Sequence, residues 1–196
     1  MFKPTSIKEA ISLWQLKNSI PASEAHEVGL QFQWPPIEKM DSSLARLVEC
    51  RKLSLSTNLI DRISGLGTLK NLKVLELSHL KLRSLLTIYY FIVYTPQEVL
   101  ENTLEELIVS YNYIEKLHPI DTMKALKVFN VSNNLVKDWV DFNLMATIKL
   151  ESLSFLGNPL QERFADDGLV YKMEVRKRLP NLKYLDGDQL KKNSYI

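Results

Sequence analysis

The sequence predicts an α/β solenoid: short parallel strands stacked into a concave sheet, 3₁₀ pieces and short turns on the convex side, and helical caps at both ends. Two observations predict it. The first is a pattern that recurs. Residues Cys50 to Ile60 read C-x-x-L-x-L-x-x-N-x-I, with Leu53, Leu55 and Asn58 in frame and Cys50 where a leucine is expected. Such a unit cannot bury its own apolar edge and must stack on copies of itself. The frame returns at Leu72, Leu75, Leu77 and Leu80, at Leu104, Leu107, Val109 and Asn112, at Leu126, Phe129, Val131 and Asn134, and at Leu150, Leu153, Phe155 and Asn158. Its inward residue steps by 22, 32, 22 and 24 positions from Leu53 through Leu75, Leu107 and Phe129 to Leu153. This is a leucine-rich-repeat solenoid of the 22-residue class, with one enlarged repeat.

The second observation is a spacing of three. Ile60, Ile63, Leu66, Leu69, Leu72 and Leu75 follow one asparagine, and Ile114, Leu117, Ile120, Met123, Leu126 and Phe129 follow another. Val136, Trp139, Phe142 and Met145 repeat the rhythm. A period of 3.0 keeps one side inward in a 3₁₀-like or extended chain, whereas an α-helix would drift away from it. The convex wall is therefore expected to be turns and 3₁₀ pieces.

One domain spans 1–196, divided into an N-terminal helical cap (1–27), about six repeats (28–160) with an insertion near 87–101, and a C-terminal cap and tail (161–196). Ser6 to Glu9 form a capping box, and Ile7, Ala10, Ile11 and Trp14 stand at helical spacing, predicting a helix that ends near Asn18. Val28-Gly29-Leu30 is a degenerate first repeat, and Pro35-Pro36 suits the exit from an edge strand. Asn58, Asn112, Asn134 and Asn158 are expected to stack as a ladder, because a buried amide both donates to and accepts from the backbone groups stranded at each bend. Leu80 interrupts that ladder. Its repeat also carries the insertion, whose run Ile88 to Tyr94 could form an extra strand or a short helix. Beyond Asn158 a helix through Val170, Val175 and Leu179 is expected, and Leu182, Tyr184 and Leu185 are assigned to the cap that covers the last open edge.

Little here suggests chemistry. The formal net charge of +2 is not a nucleic-acid footprint, and the apolar run Leu85 to Tyr94 falls well short of the roughly 20 residues that span a bilayer. His26, His79 and His118 are scattered, no glycine-rich phosphate loop or nucleophile triad appears, and Asp138 with Asp141 reads as a solvated pair. The expectation is a non-enzyme without cofactor or metal. Lone Cys50 at a core position points to a reducing compartment.

What remains is a surface. If Leu53 and Leu55 point inward, their strand neighbours face the concave sheet. The register nominates Lys52, Ser54, Val74, Glu76, Glu106, Ile108, Tyr111, Val128, Asn130, Ser154 and Leu156 as a protein-binding face. Val74, Ile108, Val128 and Leu156 form its apolar centre. A broad face of this kind suits a protein better than a small molecule.

Several blocks carry more than the generic repeat. They are Pro35 to Met40, Lys52 to Asn58, Leu104 to Leu107, Ser110 to Asn112, Ile114 to Leu117, Ser132 to Trp139, and Gly157 to Leu160. In these the sequence resembles the leucine-rich-repeat light chains of axonemal outer-arm dynein, along the whole chain. It departs from them in the insertion after Leu85, at Leu80, and in the tail ending Lys-Lys-Asn-Ser-Tyr-Ile. The resemblance implies a monomeric subunit of a large complex in the axoneme of a cilium or flagellum. It would bind a dynein heavy chain near the microtubule-binding tip of the stalk and modulate motor–microtubule interaction and beating; contact with tubulin stays open. The alternative is a regulatory or scaffold protein of the phosphatase-regulator or spliceosomal type.

Overall fold

A computed structural model describes residues 2–85 and 99–190. Strands β1 (Glu27–Gly29), β2 (Lys52–Ser54), β3 (Val74–Glu76), β4 (Glu106–Ile108), β5 (Val128–Asn130), β6 (Ser152–Ser154) and β7 (Tyr184–Leu185) lie side by side in chain order and in parallel. Their central residues pair in one row, Val28, Leu53, Leu75, Leu107, Phe129, Leu153 and Leu185. The register read from the repeat frame therefore holds through the enlarged repeat. All of these side chains are buried, and with the convex residues they form one continuous core.

The convex side follows the spacing of three in most repeats. Short 3₁₀ helices occur at Ser42–Arg46, Leu66–Thr68, Ile120–Thr122 and Leu144–Thr147. In the repeat after Asn134 the expectation needs correction. Residues Trp139–Asn143 form a short α-helix, because the Asp138 side chain accepts the Asp141 N–H at 3.0 Å and closes a wider first turn. Trp139 is consequently only partly buried against the core and lies between Phe142, Phe164 and the Arg178 guanidinium, which sits 3.8 Å from its ring centroid. Asp138 and Asp141 also differ from the solvated pair expected of them. Asp141 is buried, holding the Lys116 ammonium at 2.7 Å and the Leu117 N–H at 3.3 Å.

The asparagine ladder is present. Each side chain accepts one N–H from the preceding turn and donates to two carbonyls or more. Asn58 accepts from Ile37 and donates to Leu30 and Leu55; Asn112 accepts from Leu82 and donates to Leu77 and Val109. Asn134 accepts from Ile114 and donates to Val109 and Val131; Asn158 accepts from Val136 and donates to Val131 and Phe155. Leu80 is buried in the missing rung.

A second ladder runs along the edge where the chain enters each strand, and it is ionic. Lys73, Glu105 and Lys127 occupy equivalent positions, with the two ammonium groups 2.9 and 2.7 Å from the one carboxylate. Glu151 and Lys183 pair at 2.7 Å one step further. Hydrogen bonds and charge from Lys127 and then Lys73 hold the Glu105 carboxyl at about 2. A depressed carboxylate stabilises the fold fully above its unfolded value near 4.3 and loses that contribution as pH falls through its folded value. Glu105→Gln should therefore lower the unfolding midpoint at pH 7, and the gap from the parent protein should close between about pH 4.3 and pH 2. The same gap should shrink in about 1 M salt, because exposed pairs are screened there. A gap unchanged by acid and by salt would show that the pairs contribute nothing.

The N-terminal helix (Ile7–Asn18) has the expected capping box, with the Ser6 Oγ accepting the Glu9 N–H at 3.2 Å and Glu9 accepting the Ser6 N–H at 2.8 Å. It buries Ile7, Ala10 and Ile11 over the first repeat. Of the insertion, a short helix (Val99–Thr103) is described and buries Leu100; the aromatic run 88–94 and the tail 191–196 lie outside the described residues.

The C-terminal helix (Gly168–Arg178) differs from the expectation in its inward face, which uses Tyr171 and Val175 while Val170 stays exposed. The form of the cap at Tyr184 and Leu185 was not legible in the sequence. They extend the sheet as β7, then turn through Asp186 and Gly187, both in left-handed conformations, into the short antiparallel β8 (Asp188–Gln189). Asp186 completes the edge. In earlier repeats the N–H that follows each strand donates to a carbonyl of the next strand, as Val109 does to Asn130 and Val131 to Ser154. At the last full repeat the Phe155 N–H, joined by that of Leu156, donates to the Asp186 carboxylate at 2.6 and 3.1 Å, and the Tyr171 hydroxyl donates to its other oxygen at 3.2 Å. A side chain thus takes the place of the carbonyl that a third residue of β7 would supply.

Cys50 is fully buried, and that burial pushes its thiol up to about 11. A thiol so placed holds almost no thiolate. Cys50 should stay unmodified by iodoacetamide at pH 8 in the native protein and react fully once the chain is unfolded, as mass spectrometry would read. Rapid native labelling would show that the first repeat opens.

Candidate protein-binding face

Three-residue strands leave the concave face narrow, and its side chains stand in columns across the repeats. The residue before each central position gives Glu27, Lys52, Val74, Glu106, Val128, Ser152 and Tyr184; the residue after it gives Gly29, Ser54, Glu76, Ile108, Asn130 and Ser154. The structure brings ten of the eleven nominated residues into this region as strand-face or strand-exit positions. Val74, Ile108 and Val128 are half-buried by their neighbours rather than open to water, since parallel strands crowd each residue from two sides. Leu156 is 48% exposed at the strand exit.

Two assignments change. Ser54, placed among the accessible residues, is only 7% exposed and forms the floor of the face. Tyr111 is not on the strand face at all. It occupies the corner four residues beyond the central position, with a φ of 55°, and its ring lies flat on His79 with centroids 4.4 Å apart. Phe32, Thr57, His79, Tyr111 and Asn133 all take this left-handed corner, and Gly157 does so in the last repeat.

That corner column, with the position two residues further on, makes a rim that sequence reasoning missed. Trp34 is 85% exposed and Phe32 73%, and Tyr113 and Leu59 continue the rim beside the His79–Tyr111 stack. Phe32, Trp34, Leu59 and His79 line a shallow groove of about 500 Å³. The signal was legible in principle, since the same frame that placed Leu53 places Phe32 and Tyr111 at one repeat position. Tyr184 and Glu27 were missed for a different reason: the leucine frame is incomplete around their strands, that of Glu27 opening a degenerate first repeat and that of Tyr184 lying in the C-terminal cap.

Small polar groups keep the middle of the face level. The Ser78 and Ser110 hydroxyls are 2.8 Å apart, the Ser56 hydroxyl accepts the Ser78 N–H at 3.1 Å, and Asn130 Oδ1 accepts from the Ser132 hydroxyl and N–H. Charge is concentrated at one end. Lys52 bonds Glu76 at 2.8 Å, and this bond, with the further fields of Glu27 and Glu106, raises the pKa of its ammonium. Among the described residues no group of three or more His, Cys, Asp or Glu could hold a metal ion, and no helix is long and apolar enough to cross a membrane.

No protein-family model matches the chain. Among solved structures, an internalin from Listeria monocytogenes superposes with a TM-score of 0.61 at 22% identity, covering 92% of this chain and 44% of that one. A chain of the Drosophila melanogaster SNF/U2A′ complex gives a TM-score of 0.57 at 23% identity, over 70% of this chain and 73% of that one. These likenesses show the leucine-rich-repeat fold alone. Sequence relatives go further. Dynein axonemal light chain 1 of Bos taurus is 48% identical over 188 residues, 95% of this chain and 94% of that protein. The Ciona intestinalis protein is 48% identical over 194 residues, and that of Chlamydomonas reinhardtii 40% over 190, covering 95% of this chain and 91% of its own length. The variable blocks around Pro35 to Met40 and Ser132 to Trp139, the repeat register and this near-complete match lead to one placement: the chain belongs to the axonemal dynein light chain 1 family.

Proposed function

We propose that this chain is a non-catalytic subunit of axonemal outer-arm dynein that binds a dynein heavy chain through its concave face. The contact lies at the microtubule-binding end of the stalk, and the subunit modulates how the motor engages its track. The setting is the axoneme of a cilium or flagellum. The observation that carries the reading is the continuity of the face. Val74, Ile108 and Val128 occupy three adjacent strands and Leu156 follows the fourth, so four apolar groups share one level surface. A face about as wide as one α-helix, on which apolar groups stand among polar ones, suits a protein partner. The family supplies the partner class, since the relatives are named as axonemal dynein light chains from Bos taurus to Chlamydomonas reinhardtii. The test is capture of partners by the tagged chain from salt-stripped axonemes, with mass spectrometry, followed by titration against a recombinant stalk-tip fragment of the heavy chain recovered. Recovery of the heavy chain with saturable binding of the fragment is the expected result. Capture without a heavy chain, or a heavy chain whose stalk fragment does not bind, would overturn the assignment of partner or of stalk tip respectively.

A further inference from the structure

The two halves of the concave face differ in charge, and the aromatic rim flanks only one of them. On the strand-face columns of β1 to β4 stand Glu27, Glu76 and Glu106 around Lys52, three carboxylates to one ammonium. Lys52 is already bonded to Glu76, and among the described residues neither Glu27 nor Glu106 forms an ion pair. The same columns in β5 to β7 hold Val128, Ser152, Tyr184, Asn130 and Ser154, all uncharged, and the carboxylate that follows them at Asp186 is taken up by the Phe155 and Leu156 N–H groups and the Tyr171 hydroxyl. Beside the acidic half, Phe32 and Trp34 are exposed, and the His79–Tyr111 stack follows them along the rim. Carboxylates on one side and open aromatic faces on the other are the two groups that receive a guanidinium or ammonium: by charge-assisted hydrogen bonds and by the ring quadrupole.

We propose that the β1–β4 half of the concave face and its aromatic rim receive an arginine- or lysine-bearing segment of the protein partner. The uncharged β5–β7 half receives that partner's apolar continuation. The partner therefore lies across the repeats in one polarity, with its cationic end over Glu27, Glu76 and Glu106. This rests on the concave face being the binding surface, and it adds the chemistry and direction of what binds there. An apolar segment without cations would bury the Glu106 carboxylate uncompensated between Val74 and Val128, which complementarity avoids.

Two arms test it in the full chain. In the first, the probe is a synthetic amphipathic helical peptide with four arginines at one end, compared with its counterpart carrying four glutamates. Backbone and indole resonances are followed by NMR. The arginine peptide should shift Trp34 and the β1–β4 amides and the glutamate peptide should not; equal shifts, or none with either, overturn the proposal. In the second, a stalk-tip fragment is titrated from 50 to 300 mM salt against wild type and Glu76→Gln/Glu106→Gln. The double variant should bind about tenfold to thirtyfold more weakly at 50 mM and lose most of the salt dependence, because it removes the excess negative charge. Unchanged affinity and slope overturn the polarity while the concave-face reading stands. A wild-type chain that does not bind the fragment overturns the stalk assignment, and the peptide arm then decides the cationic site by itself.

Discussion

Replacing both Ile108 and Val128 with aspartate is expected to leave a folded solenoid that no longer holds the stalk fragment. The two side chains stand on neighbouring strands and project from the face opposite the core, so the row Leu107–Phe129 beneath them is untouched. Once a partner covers them both carboxylates are desolvated, and the one at position 128, on β5, meets the partner's apolar continuation without a counter-charge, at a cost of several kcal/mol per buried ion. At about 1.4 kcal/mol for each factor of ten, a combined loss of about 4 kcal/mol or more amounts to roughly a thousandfold weaker binding. Some cost to folding is expected too. The carboxylate introduced by Val128→Asp would face Glu106 directly across β4 and β5, and like charges in that position destabilise a sheet by up to about 1 kcal/mol. The neutral pair Ile108→Asn and Val128→Thr separates the two effects, since it removes apolar contact without adding charge and should weaken binding far less. Calorimetric titration with circular dichroism on the same samples gives the answer. Wild-type affinity in a folded double aspartate variant would move the binding surface off the concave sheet.

The fold was legible because its information is periodic. Leu53, Leu75, Leu107, Phe129 and Leu153 each carry little signal alone, but their spacing fixes which residues pair, and a parallel ladder of three-residue strands leaves no room for a register slip. Where the structure departs from the sequence reading, periodicity is interrupted or replaced by a non-local bond. Trp139 stands on the three-residue rhythm, yet the Asp138 side-chain cap closes an α-helical turn there. Tyr184 and Leu185 lack the leucine frame on their C-terminal side, so the strand they form was invisible, as was Asp186, whose partners Phe155 and Leu156 lie about thirty residues earlier. The concave face was legible in its columns but not in its accessibility. Alternation predicts the direction of Ser54 and is silent on how far its neighbours bury it. The rim was missed because left-handed corners carry no residue signature here. Phe32, Thr57, His79, Tyr111 and Asn133 share a conformation but no single residue type.

The ladder makes a graded prediction that the repeat pattern alone could not. Removing the Asn134 amide leaves the Ile114 N–H without its acceptor, but Val109 still receives a bond from Asn112 and Val131 still receives one from Asn158. An interior rung is redundant for carbonyls, so Asn134→Ala should cost about 1–3 kcal/mol, the usual penalty for one orphaned buried group. Asn58 has no such support. Its neighbour in the next repeat is Leu80, which has no amide to offer, so the Leu55 carbonyl depends on Asn58, as do the Leu30 carbonyl and the Ile37 N–H. Asn58→Ala therefore strands three groups where Asn134→Ala strands one, and its cost should reach about 3–5 kcal/mol. Asn112→Ala falls between them, because the Leu77 carbonyl and the Leu82 N–H both lose their partner while Val109 keeps Asn134. Chemical denaturation of the three variants under one set of conditions reads the order directly. Equal shifts at Asn58 and Asn134 would mean that the gap at Leu80 is bridged by other donors; the expected order would show that a break in the ladder transfers its load to the rung before it.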